Sequence, residues 1–215
     1  MKPAMVLTMI GCVFILTGCQ KAYYKTMEKF GYHKRDLLVS RVQDARDAQE
    51  QAKEQFKTAL EKFTDVVNFQ GGELKEKYEQ LNKEYETSQS KAQTVRKRIN
   101  SVENVADALF DEWESELKQY TNDKLRRASE QKLQQTKQKY AQLIGAMKRA
   151  ESKIEPVLSA FHDQVLFLKH NLNAQAIASL QDELTSVETD IASLIKEMET
   201  SIAEADEFIK AITQE

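Results

Sequence analysis

Helix breakers are scarce in this chain: its 215 residues include six glycines and two prolines, and Pro3, Gly11 and Gly18 fall before position 20. So little punctuation excludes a fold of many short strands and tight turns and leaves a few long helices. Cysteine is equally sparse. Cys12 and Cys19 both lie in the same N-terminal stretch, so the remainder has no disulfide to form and must be held by packing. The three histidines, His33, His162 and His170, show no metal-ligand spacing, and no thiol is left over for nucleophilic work. Neither a phosphate-cradling glycine loop nor a G-x-S-x-G elbow is present. The expectation is a protein that is not an enzyme and holds no cofactor or metal. Its formal charge of -3 is not that of a nucleic-acid binder.

The first nineteen residues form a class of their own. Lys2 leads into an apolar run from Met5 to Leu16, shorter than the roughly 20 residues needed to span a bilayer but suited to a secretory signal. Leu16-Thr17-Gly18-Cys19 resembles the lipobox of bacterial lipoproteins: an aliphatic residue, a small pair and a cysteine. That resemblance implies cleavage after Gly18 and a lipidated Cys19 as the first mature residue. Gln20, where inner-membrane retention favours Asp, implies an outer-membrane lipoprotein facing the periplasm. A plain signal peptide with a soluble periplasmic product is the alternative. Residues 20–36 then carry Lys21, Lys25 and Lys29 among Tyr23, Tyr24 and Phe30. Such a mixture suits a membrane interface, where cations meet headgroups and rings sit at the boundary. It suits a simple tether equally well.

From Leu37 onward the apolar spacing predicts helices. The first stripe is Leu38, Val42, Ala45, Ala52, Phe56, Ala59, Phe63 and Val66, with Gln49 as a polar exception. It predicts a helix over about 37–70, closed by Gly71-Gly72. The second runs from Leu74 through Tyr78, Leu81, Tyr85, Ser88, Ala92, Val95, Ile99, Val102, Ala106 and Leu109 to Trp113 in steps of four and three. That rhythm needs a partner helix to keep it on one face, and predicts a helix over 73–121. A third, from Leu133 to Leu172 by way of Gln164, predicts a helix over 124–170 kinked at Pro156. The last, Ile177 to Ile212, predicts a helix over 174–213, with steps of four on both sides of Met198 that read as a stutter. The acidic group Asp111, Glu112, Glu114 and Glu116 around Trp113 points in several directions on a helix and reads as a solvated face.

Short joints require antiparallel neighbours, so the fold expected is all-α: an elongated up-down-up-down four-helix coiled-coil bundle. Residues 124–170 carry ten Lys/Arg against four Asp/Glu, and residues 176–215 carry two against ten, so these two helices are expected side by side. The topology puts Gln70, Gly71 and Gly72 at the same far end as Lys169, His170, Asn171 and Asn173, which makes that tip a candidate site for a protein partner; as turn residues they also have an ordinary structural use.

Residues 108–114 (ALFDEWE) and 161–173 (FHDQVLFLKHNLN) resemble an uncharacterised family of proteobacterial lipoproteins known only as a domain of unknown function. The resemblance covers nearly all of the chain after Cys19. It implies a coiled-coil envelope protein and brings no catalytic residues. Three functions follow in order of preference. The first is a lipid-anchored periplasmic scaffold or adaptor that meets its partner through a helix face or the tip. The second is a membrane-binding or membrane-remodelling bundle, which requires the third helix's cations to form one continuous face. The third is a small-ligand carrier, for which a narrow heptad core leaves little room. The stripes are satisfied equally within one chain or in a homo-oligomer.

Overall fold

The computed structural model describes residues 34–69, 71 and 74–214; the expected signal, Cys19, residues 20–33 of the expected tether, Gln70 and Gly72 lie outside them, while Lys34, Arg35 and Asp36, expected in the tether, are already helical. Four helices make up the described chain, which contains no strand. They are α1 (Lys34–Val67, 34 residues), α2 (Leu74–Leu117, 44 residues), α3 (Asp123–His170, 48 residues) and α4 (Ala174–Thr213, 40 residues). At about 1.5 Å per residue they are roughly 50 to 70 Å long.

Local chemistry sets the boundaries. Beyond α1, Phe69 N–H donates to the Val66 carbonyl, and Gly71 then takes φ +94°, a conformation that favours glycine. Helix α2 stops at Leu117, four residues before the expected end. Lys118 and Gln119 donate to carbonyls three residues back instead of four, which tightens and closes the helix. The four-three stripe of α2 ends with the helix, and Tyr120 beyond it is exposed. Asn122 caps α3, its side-chain oxygen accepting from the Lys124 and Leu125 N–H groups at 2.9 and 3.2 Å, and Asn173 caps α4 through Ala176 N–H at 3.0 Å.

Neighbours run in opposite directions, as their pairings show. Between α1 and α2, Lys34 meets Glu112, Asp44 meets Arg98 and Gln55 meets Glu84. Between α2 and α3, Glu103 meets Lys148 and Arg96 meets Glu155. Arg149 to Glu197 and Lys153 to Ser193 link α3 and α4. Arg46 to Asp206 and Gln181 to the Val67 carbonyl bring α4 back onto α1. Each helix thus packs on both its neighbours and the ring is closed.

The predicted stripes point into one continuous core, including Phe56, Phe63, Leu81, Ile99, Leu143, Ile154, Leu168 and Leu194. Two details differ from the sequence reading. In α3, Val165 is buried where Gln164 was expected, and Leu172 is exposed beyond the helix end. In α4, the residues buried after Met198 are Ser201, Ala205, Phe208 and Ile212. These continue the four-three rhythm, so there is no stutter. Ile202 and Ile209 sit beside the stripe, half-buried. The displaced register brings Ser201 against Gln49: its hydroxyl donates to the amide oxygen at 2.8 Å, and both residues are fully buried.

Helix α3 passes through Pro156 without a break. Proline removes the N–H that would have met the Ser152 carbonyl, yet both residues are exposed, so the freed oxygen is open to solvent. Pro156→Ala restores the bond and is expected to raise the free energy of unfolding by about 1–3 kcal/mol, read as a later urea midpoint with an unchanged slope. A lower midpoint would show that the proline's geometry is required by the packing around Leu158 and Phe161.

Candidate interaction surfaces at the ends of the bundle

The flanks of the rod are polar and laced with ion pairs, such as Arg46–Asp206 and Lys148–Glu103, both at 2.8 Å. The large apolar residues exposed among the described positions lie toward its two ends: Leu166, Phe167 and Leu172 at the far end, Tyr120 and Leu125 at the near one. Scattered exposed apolar residues need no explanation, but clusters mark places where surfaces meet.

At the far end, α3 buries Val165 and Leu168. The helical period then turns Leu166 and Phe167 outward, followed by exposed Lys169 and His170. The two asparagines expected at this tip are structural. Asn171 donates from its side chain to the Phe167 carbonyl at 2.9 Å, and Asn173 caps α4. Across the tip, Gly71 is exposed with open space where a Cβ would stand, and Lys77 Nζ lies 5.6 Å from the centre of the Phe69 ring. The structure brings Gly71, Lys169, His170, Asn171 and Asn173 to one end. The apolar components, Leu166 and Phe167, were missed; Leu172 had been assigned to the buried stripe. Their signal in the sequence is adjacency: Val165-Leu166-Phe167-Leu168 is an unbroken apolar run, and one helix face cannot bury four consecutive residues.

At the near end the α2–α3 turn carries Tyr120, 41% exposed, and Leu125, 57% exposed. Lys118, Lys124 and Arg127 around them are exposed as well. Arg126 is engaged with Asp123 and Glu130, and Lys137 with Glu114, whose carboxyl it holds below its ordinary range through that hydrogen bond. Behind the turn, the indole N–H of Trp113 donates to Ser129 Oγ at 2.8 Å. Trp113 therefore braces α2 against α3, and the carboxylates beside it face different ways: Glu112 to Lys34, Glu114 to Lys137. Among the described residues no group of three His, Cys, Asp or Glu is placed to hold a metal ion.

Two shallow grooves run along the sides. One of about 270 Å³ lies between α3 and α4 beside Lys139, Glu204 and Phe208. The other, about 180 Å³, lies between α2 and α3, where the Tyr85 and His162 rings stack at 4.9 Å. Burial, aided by Glu155, pushes the Tyr85 phenol above its ordinary value. Both fall below the roughly 300–1,000 Å³ of small-molecule sites. No described helix is long and apolar enough to cross a membrane.

Residues 23–212 match the sequence model of a family described as "Protein of unknown function (DUF2959)". A comparison with curated proteins finds none that matches.

Proposed function

The chain belongs to the DUF2959 family of proteins of unknown function, and we propose that it is a lipid-anchored interaction protein of the bacterial envelope, held to the outer membrane through Cys19 and presenting its far tip to a protein partner in the periplasm. The observation that carries this reading is the placement of exposed apolar side chains at the ends of a rod whose flanks are charged.

The cations of α3 weigh against the membrane-remodelling alternative. Lys137 and Lys148 reach across to Glu114 and Glu103 on α2, whereas Arg149 and Lys153 reach to Glu197 and Ser193 on α4. These four divide between the two sides of α3. The charge contrast between α3 and α4 accompanies their adjacency, but α3 also pairs with Glu114, Glu103 and Arg96 of α2. Exposed pairs of this kind contribute about 0–1 kcal/mol each, so topology and apolar burial govern the arrangement.

In-cell photo-crosslinking tests the reading. A crosslinker in place of Phe167 or Leu172 is expected to capture one discrete protein, and the same group in place of the exposed flank residue Glu188 is expected to capture none. Capture from the flank with nothing from the tip would reverse the assignment.

A further inference from the structure

The near end of the bundle has a shape that the lipid anchor gives meaning to. Lys34, the first described residue, is level with Glu112 through a 2.8 Å ion pair. Helix α2 continues five residues past that level to Leu117, about 7 Å at the helical rise, before the turn begins. On α4, the Ile212 carbonyl accepts from Arg35 and so lies near the same level. The α2–α3 turn therefore projects past the level of the first described residue of α1 and of the last turn of α4.

That overhang carries Leu125, the most exposed large apolar residue described, and Tyr120. Between positions 118 and 127 there are four cations, Lys118, Lys124, Arg126 and Arg127, against Asp123. Arg126 is engaged with Asp123 and with Glu130 on α3, which leaves Lys118, Lys124 and Arg127, with Glu116 the nearest further carboxylate on α2. An aliphatic side chain, a tyrosine and a cationic surround are the elements of an interfacial contact: the ring and the leucine enter the headgroup boundary, and the cations meet phosphates. A protein partner does not require the cations, and a neutral surface does not reward them.

We propose that the α2–α3 turn is a second membrane contact, in which Tyr120 and Leu125 insert into an anionic bilayer. It rests on the lipid-anchored reading, since the anchor supplies the surface next to which the turn projects. One acyl-anchored point leaves a rod free to pivot, and a second contact beside it fixes the rod upright.

The test uses the full-length protein with a polarity-sensitive fluorescent amino acid in place of Leu125 and, as control, in place of Leu172; both positions are exposed, so folding is preserved. The vesicles contain phosphatidylethanolamine with or without phosphatidylglycerol, and labelled palmitate reports acylation separately. The expected result is a blue shift at 125 with phosphatidylglycerol vesicles, abolished by high salt, and no shift at 172. In the otherwise unlabelled protein, Tyr120→Asp with Leu125→Asp is expected to weaken vesicle partition at least about tenfold. Palmitate incorporation with a silent 125 probe overturns the turn contact and leaves the anchor standing. A responsive 125 probe without palmitate upholds the turn contact and removes the anchor. Equal responses at 125 and 172 overturn the proposal as non-specific adsorption. Shielding of the 125 probe from iodide before vesicles are added also overturns it, because another part of the chain then occupies the turn.

Discussion

Phe63→Ala is expected to lower the free energy of unfolding by about 3–5 kcal/mol, the cost of emptying a large aromatic site in a core that relaxes incompletely. Phe63 is fully buried on α1 and packs edge-to-face against Phe161 of the diagonally opposed α3, with ring centres 6.0 Å apart. Phe161 in turn meets Tyr85 of α2 at 6.4 Å, and Tyr85 stacks on His162. One substitution therefore weakens the junction of three helices, and aromatic pairing adds to the area term. Urea unfolding followed by circular dichroism at 222 nm measures it, and a surface control such as Glu188→Ala is expected to stay within about 0.5 kcal/mol. A loss below about 1 kcal/mol for Phe63→Ala would mean that the far third of the bundle is not packed as described.

Opposite signs are expected from the two halves of the buried polar pair. Gln49 accepts from Ser201, but its amide nitrogen has no partner while the residue is fully buried. An unsatisfied buried donor costs about 1–3 kcal/mol. Gln49→Leu removes that cost at similar volume, and the freed Ser201 hydroxyl retains an option of its own. It turns to the carbonyl one helical turn back, as Ser88 does to Glu84 at 2.7 Å. The variant is therefore expected to be more stable by about 1–2 kcal/mol. Ser201→Ala deprives the buried amide of its remaining partner and is expected to be less stable by about 1–3 kcal/mol. Denaturant midpoints of both variants and of the double variant form a cycle. Destabilisation by Gln49→Leu would show that the amide is doing more for the fold than its contacts account for, with register specification the best-attested such role.

The same pair shows where sequence reasoning reached its limit. Four helices, their order and most core positions were legible because a stripe at four-three spacing has one physical use in a chain so poor in glycine and proline. The α4 register was misread after Met198 because apolarity alone favours Ile202 and Ile209 over Ser201 and Phe208. A serine enters the stripe only when a partner for its hydroxyl is known, and Gln49 lies 152 positions away. Val105 and Phe110 were missed for a related reason: both are buried beside the α2 stripe, where contact with two neighbours widens the apolar face beyond a single seam. At the far end of the rod Asn171 and Asn173 stand together, Asn173 capping α4 as its place just before that helix suggests, and Asn171 bonded to the Phe167 carbonyl. The exposed Leu125 was not singled out, since the Asn122 cap sets where α3 begins and says nothing about which side chain is left in water.

An even number of passes has a practical corollary for anyone attaching a reporter. Arg35 bonded to the Ile212 carbonyl fixes the last turn of α4 beside the entry to α1, so a fluorescent protein fused after Gln214 would emerge there and crowd whatever that pole touches. A small epitope inserted at Gly71, where a positive φ and open space already accommodate a reversal, would sit about 50 Å away at the opposite pole.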